Sequence, residues 1–125
     1  MKSHAFWKDA EGTTALEFAL TAPVFILIVF GIIEFGLLFW TQIGLQHGAG
    51  LAARCATINA TICSSSSAIT TYAAQQSFGL NPPSQTFTYA AVSCGNQVSA
   101  TFAFQFPQIL NLSSVNLTAR ACFPS

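Results

Sequence analysis

The side chains able to do chemistry fall into two groups, both easy to locate. The first is a pair of carboxylates, Glu17 and Glu34, set inside an apolar run over residues 15–40, ALEFALTAPVFILIVFGIIEFGLLFW. The second is four cysteines, Cys55, Cys63, Cys94 and Cys122, all beyond that run. A carboxylate in a membrane segment is costly to place and points to a function by default. A cut after Gly12 would make Glu17 the fifth residue of the product and give Thr13 a free amine four residues before it. Residues four apart on a helix are neighbours, so that amine and the Glu17 carboxylate could pair within one chain or between adjacent chains. In low dielectric the pair is favoured over two isolated charges. The same cut removes Lys2 and Lys8, the charges that hold the N-terminus on one side of a bilayer.

The element that positions these groups is the run itself. About 20 apolar residues cross a bilayer as a helix, and residues 15–40 exceed that with Glu17, Thr21, Pro23 and Glu34 as interruptions. Lys2 and Lys8 precede the run and no Lys or Arg follows it until Arg54. The positive-inside rule then expects a cytoplasmic N-terminus, with Trp40 at the far interface. The cysteines fall in the compartment where disulfides form. Pro23 removes one helical hydrogen bond, which Thr21 and neighbouring helices are expected to offset. Glu34 admits two readings: a contact to a partner subunit or assembly machinery, or an acid resting near the outer headgroups.

The segment Gly12-Thr13-Thr14-Ala15-Leu16-Glu17-Phe18-Ala19-Leu20 resembles the processing site of type IV pilin-like proteins, with Gly before the cut and Glu five residues after it. The wider run over residues 12–36 is similar to the TadE-like pseudopilins of tight-adherence (Flp) pilus systems, which share EFAL followed by a Pro and the later IIEFG. The tail Leu117-Thr118-Ala119-Arg120-Ala121-Cys122 also resembles how some members end. The resemblance implies cleavage between Gly12 and Thr13 by a prepilin peptidase, and assembly through Glu17, Phe18 and Glu34. The implied partners are membrane lipid, other pilin-like subunits and the inner-membrane pilus machinery. The implied location is the bacterial inner membrane with a periplasmic C-terminal domain, or the cell surface within a pilus.

Past Trp40 the helical pattern continues. Gly44, Gly48, Ala52, Ala56 and Ala60 recur every four residues as a face of small side chains, and Gly44 with Gly48 forms a small-xxx-small motif that lets backbones approach. That face is expected to receive the C-terminal sheet or a neighbouring subunit. Ser67 is expected to cap a short helix over residues 68–78 stopped by Gly79. Three strands then follow, over residues 85–92, 98–106 and 115–122, with a turn at Cys94-Gly95-Asn96 and a connection over 107–114. The expected fold is α+β and pilin-like: a long N-terminal transmembrane helix extending into a small antiparallel β-meander. Its parts are a leader at 1–12, a membrane helix at 13–40, a helix extension at 41–62 and a disulfide-stapled α+β domain at 63–125. Four cysteines allow three pairings. The meander brings Cys122 back to the end that carries Cys94, so Cys94–Cys122 is geometrically reasonable and Cys55–Cys63 would clip the helix end to the following loop.

Composition excludes much else. Hydrophobic residues make up 52% of the 125 and charged residues 6%, with zero formal net charge, which removes the electrostatic case for nucleic acid. No carboxylate side chain follows Glu34 and His47 is the only histidine beyond the run, so no acid–base pair or activated nucleophile can be assembled there. Catalytic residues, a metal, a cofactor and a small-molecule substrate are therefore not expected. Zinc in particular would ask for closer ligand spacing and His partners. Asn59-Ala60-Thr61, Asn111-Leu112-Ser113 and Asn116-Leu117-Thr118 match the glycosylation sequon by chance in so Ser/Thr/Asn-rich a chain. Two alternatives compete with the pilus reading. One is a secreted disulfide-stapled binding module released near Ala53 by cleavage at the small residues Gly50-Leu51-Ala52, although the run is long for a signal peptide. The other is an uncleaved bitopic protein whose outer domain binds a membrane partner.

Overall fold

The computed structural model describes residues 3–107 and 112–125, with side chains from residue 12 onward. Lys2 and the Lys8 side chain, the two cations of the orientation argument, lie outside that description, as do Asn111 and part of the 107–114 connection. The elements run α1 (Ser3–Ile58), α2 (Ser66–Gln75), a 3-10 turn (Ser84–Thr86), β1 (Phe87–Val92), β2 (Gly95–Phe104) and β3 (Val115–Phe123). The chain is α+β: a long N-terminal apolar helix followed by a three-stranded antiparallel sheet in the order β1-β2-β3. It divides into two compact units, Met1–Gly36 and Leu37–Ser125.

In the second unit, α1 ends where Asn59 turns the chain. Its side-chain Oδ1 accepts from Thr61 Oγ1 at 2.7 Å and from the Ile62 N–H at 3.3 Å. An Asn side chain offering the backbone such local bonds competes with continued helix, so α1 stops at Ile58. The turn delivers Cys63 to Cys55 with Cα atoms 5.9 Å apart, and the two are disulfide-bonded.

Helix α2 is capped by Ser65, not Ser67. Ser65 has the extended backbone of a cap (φ −143°, ψ 163°) and accepts from the Ala68 N–H at 3.2 Å. Four consecutive serines offer equivalent caps in sequence, and backbone conformation chooses among them. The helix also ends at Gln75, short of the expected Phe78. Ser77 Oγ donates back to the Ala73 carbonyl at 2.8 Å, and Phe78 and Gly79 take left-handed conformations with φ of 52° and 75°.

The sheet packs one face inward by strict alternation. Phe87 lies opposite Ala100, and Tyr89 opposite Val98. Across the next pair Ala100 meets Ala119, Val98 meets Ala121 and Phe102 meets Leu117. Phe87, Val98, Ala100, Leu117 and Ala119 are buried. They share one core with Leu45, Ala49, Ala52 and Ala53 of α1 and Ile69, Ala73 and Ala74 of α2. The alternate face, with Ser99 opposite Arg120 and Thr101 opposite Thr118, is polar. The β1–β2 turn is Ser93-Cys94 with Gly95 already paired to Val92, one residue earlier than expected. Gly95 has φ +126°, and a Cβ there would strike the Phe123 carbonyl. Only glycine fits that combination. Phe106 lies beyond β2 rather than in it, and packs edge-on against Phe104 with ring centroids 5.2 Å apart. Cys94, at the hairpin tip, is bonded to Cys122, which pairs with Gln97 on the neighbouring strand.

Candidate processing and assembly segment

The first unit consists of α1 as far as Gly36. Its apolar side chains are uncovered: Phe18 is 72% exposed, Phe25 67% and Ile32 67%. Soluble proteins rarely leave more than a few hundred Å² of contiguous apolar surface open to water. A helix exposed on every side and apolar on nearly every side is instead matched to hydrocarbon. The helix over Gly12–Ile58 is long and apolar enough to cross a membrane.

Gly12 lies within the helix, and a side chain added there would meet no atom within 4 Å. Glu17 and Phe18 are exposed, one turn past Thr13. Thr21 Oγ1 donates to the Glu17 carbonyl at 2.9 Å and lies 3.3 Å from that of Phe18. Pro23 leaves α1 unbroken, but the carbonyl whose helical N–H it removes is Ala19's, four residues earlier. The Thr21 hydroxyl therefore reinforces the two preceding carbonyls and does not offset Pro23. Glu34 is half-buried on a helix whose neighbours Ile33 and Phe35 are exposed.

In the second unit the small-residue face is filled from within the chain. A Cβ on Gly48 would collide with Ser77 Oγ and lie 2.5 Å from the Ala73 carbonyl oxygen; one on Gly44 would lie 2.6 Å from Leu80 Cδ1. Gly44, Gly48 and Ala52 are buried, and the element that approaches the two glycines is α2 with its trailing turn. All four cysteines are paired, Cys55 with Cys63 and Cys94 with Cys122. Among the described residues no three His, Cys, Asp or Glu side chains gather closely enough to hold a metal ion.

Residues 12–54 match the family model described as TadE-like protein. This segment is TadE-like. It contains Gly12, Glu17, Pro23, Glu34, Gly44, Gly48 and Ala52, and stops before Cys55. The match covers about a third of the chain. No curated protein and no solved structure matches the chain.

Sequence reading passed over three groups that fix the rest of the chain on the TadE-like helix. Gln42 and Gln46, one turn apart, donate from Nε2 to the carbonyls of Thr118 at 2.8 Å and Arg120 at 2.9 Å on β3. An edge strand presents unpaired carbonyls that invite another chain, and these two are taken by the protein's own helix. Thr57, Asn96 and Tyr89 form a chain: Asn96 Nδ2 donates to Thr57 Oγ1 at 2.8 Å and Tyr89 OH donates to Asn96 Oδ1 at 2.7 Å. His47 Nδ1 lies 2.8 Å from the Gln76 carbonyl, so the ring donates there, and its face stacks on Phe78 with centroids 4.2 Å apart. The available signal was the i, i+4 spacing of Gln42 and Gln46 beyond an apolar run.

Proposed function

We propose that the chain is a minor pilin or pseudopilin of a bacterial Flp/Tad-type pilus, made as a precursor and cut between Gly12 and Thr13 by a prepilin peptidase. The observation that carries this reading is the TadE-like match over residues 12–54, which begins at the proposed cut. Residues 13–36 in helical form rise about 36 Å, more than the roughly 30 Å of bilayer hydrocarbon. Residues 1–12 serve as the leader, Lys2 and Lys8 hold it in the cytoplasm, and the second unit lies in the periplasm. Reductant-sensitive clips such as Cys55–Cys63 and Cys94–Cys122 suit that oxidising compartment.

After cleavage the Thr13 ammonium lies one turn before Glu17, on the same side of α1. An exposed carboxylate so near the new terminus can take that amine from its own chain or a neighbour's. Removing the leader also removes the charges that tether the helix, so the exposed apolar helix can exchange lipid for the apolar helices of other subunits. Phe18 adds an exposed ring beside Glu17 for that packing. Glu34 supplies a second polar contact inside the apolar layer, to a partner subunit or to inner-membrane machinery.

The test is the Glu17→Ala variant, expressed in the native host and followed by membrane and sheared-pilus fractionation. The reading predicts that it is still cut after Gly12 but is lost from complexes with other pilus components. Undiminished association would remove the assembly role from Glu17. A chain that never co-purifies with pilus components, wild type included, would favour the bitopic binding module.

A further inference from the structure

The second unit carries an apolar collar of its own at the start of its helix. Trp40 is 53% exposed and Ile43 58%. The Phe78 ring lies against this stretch of α1, its centroid 5.8 Å from that of Trp40 and its face on His47. Phe78 is itself 44% exposed and has φ 52°. A bulky residue is a rare occupant of the left-handed region, where Gly or Asn avoids the Cβ clash. Gly79 beside it also has positive φ, so a glycine was available to the turn one position away. Strain of this kind persists where the surroundings over-determine it. Here they do: Ser77 Oγ holds the Ala73 carbonyl, the Leu80 N–H holds the Ser77 carbonyl, and His47 holds the Gln76 carbonyl. The outcome is an aromatic ring fixed beside Trp40 with nearly half its surface uncovered.

Two observations identify what covers it. The collar follows in sequence on an apolar run long enough to cross a membrane, and Trp at the end of such a run marks the bilayer interface. The surroundings are also uncharged: no Asp, Glu, Lys or Arg occurs over residues 35–53 or 55–119. The interfacial layer on each side of the hydrocarbon is roughly 5–7 Å deep. A helix rises about 6 Å from Trp40 to Gly44, the level at which Ser77 and Leu80 approach α1. Phe78 and Trp40 thus fit within one interfacial layer.

We propose that the Ser77–Leu80 turn is a second membrane contact, with Phe78 inserted among the phospholipid headgroups and upper acyl chains beside Trp40 and Ile43, so that the second unit rests on the bilayer surface. This rests on the reading of residues 13–40 as a membrane span. The test uses the full chain with Trp7→Phe and Trp40→Phe, reconstituted in phosphatidylcholine/phosphatidylglycerol vesicles. The lipids are brominated either near the headgroup or near the acyl-chain ends. Phe78→Trp reports the turn, Ile43→Trp reports the collar without a strained position, and Phe30→Trp reports the span. Non-reducing mobility with and without reductant selects folded, disulfide-paired samples. The expected result is loss of Phe78→Trp and Ile43→Trp emission chiefly to shallow bromine, and of Phe30→Trp emission chiefly to deep bromine. Quenching of Phe30→Trp without quenching at position 78, whether or not position 43 is quenched, overturns the membrane contact of the turn and leaves the span intact. If Phe78→Trp cannot be obtained folded, Leu80→Trp on the same turn decides in its place. No quenching at any position removes the span and the proposal together.

Discussion

Gly48 provides the sharpest test of how α2 is seated on α1. Replacing a helical glycine with alanine usually favours the helix by about 1 kcal/mol. At Gly48 the new Cβ would collide with Ser77 Oγ and lie 2.5 Å from the Ala73 carbonyl oxygen. Neither can swing aside: Ser77 Oγ is hydrogen-bonded to that same carbonyl at 2.8 Å, and both residues are fully buried. Pushing apart well-packed elements costs about 1–3 kcal/mol. After the propensity gain, Gly48→Ala should destabilise the second unit by up to about 2 kcal/mol. Gly50, two residues on in the same helix, has nothing within 4 Å of its added Cβ. Gly50→Ala should therefore stabilise by up to about 1 kcal/mol. At about 4–8 °C per kcal/mol for a domain of roughly 60–100 residues, the two variants should melt on the order of 10 °C apart. Near-UV circular dichroism of the full chain in detergent, heated with its disulfides intact, reads the difference. A Gly48→Ala protein as stable as Gly50→Ala would refute the close seating of α2 on α1.

Further perturbations probe the remaining supports. By loop-closure entropy, opening the Cys94–Cys122 loop of 28 residues by Cys122→Ser with Cys94→Ser should cost about 3.5 kcal/mol. Opening the Cys55–Cys63 loop of 8 residues should cost about 2.5 kcal/mol; urea midpoints of the two double variants give the order. Asn96→Leu strands Thr57 and Tyr89 of its hydrogen-bonded chain and should cost about 1–3 kcal/mol, with faster amide exchange at the β1–β2 hairpin as a second readout. Gln42→Ala with Gln46→Ala frees the Thr118 and Arg120 carbonyls. Each loss should cost about 0.5–1.5 kcal/mol, near the low end because both bonds are solvent-exposed. Light scattering should then show self-association through the freed β3 edge.

What was legible in the sequence follows the strength of the physical signal. The apolar run, its two carboxylates and the change from helical to alternating period are enforced over many residues, so α1 and the three strands were visible. Four cysteines left three pairings open; the meander made Cys94–Cys122 the geometrically reasonable one, because antiparallel strands return Cys122 to the end that bears Cys94. Single-residue choices were not visible. Four serines over residues 64–67 cap a helix equally well until backbone conformation selects Ser65. Gly95 looked like a turn centre because glycine marks turns, yet its role is to open a strand against the Phe123 carbonyl. Phe78 in a left-handed conformation contradicts the ordinary preference of its residue type, and the hydrogen bonds of its turn together with contacts to His47 and Trp40 hold it there. The small-residue face was readable as a place of close approach, but its occupant was not, since α2 carries no mark distinguishing it from a neighbouring subunit.

We propose Gly12 as the last residue of a leader and Thr13 as the first of a pilin-like subunit. Intact mass and N-terminal sequencing of the protein recovered from native membranes, with and without reductant, address it most directly. Cleavage after Gly12 predicts a chain beginning at Thr13 whose mass rises by four hydrogens on reduction of its two disulfides. A chain beginning at Met1 would contradict it by removing the amine that Glu17 is proposed to meet, and one beginning near Ala53 would replace the membrane subunit with a secreted module.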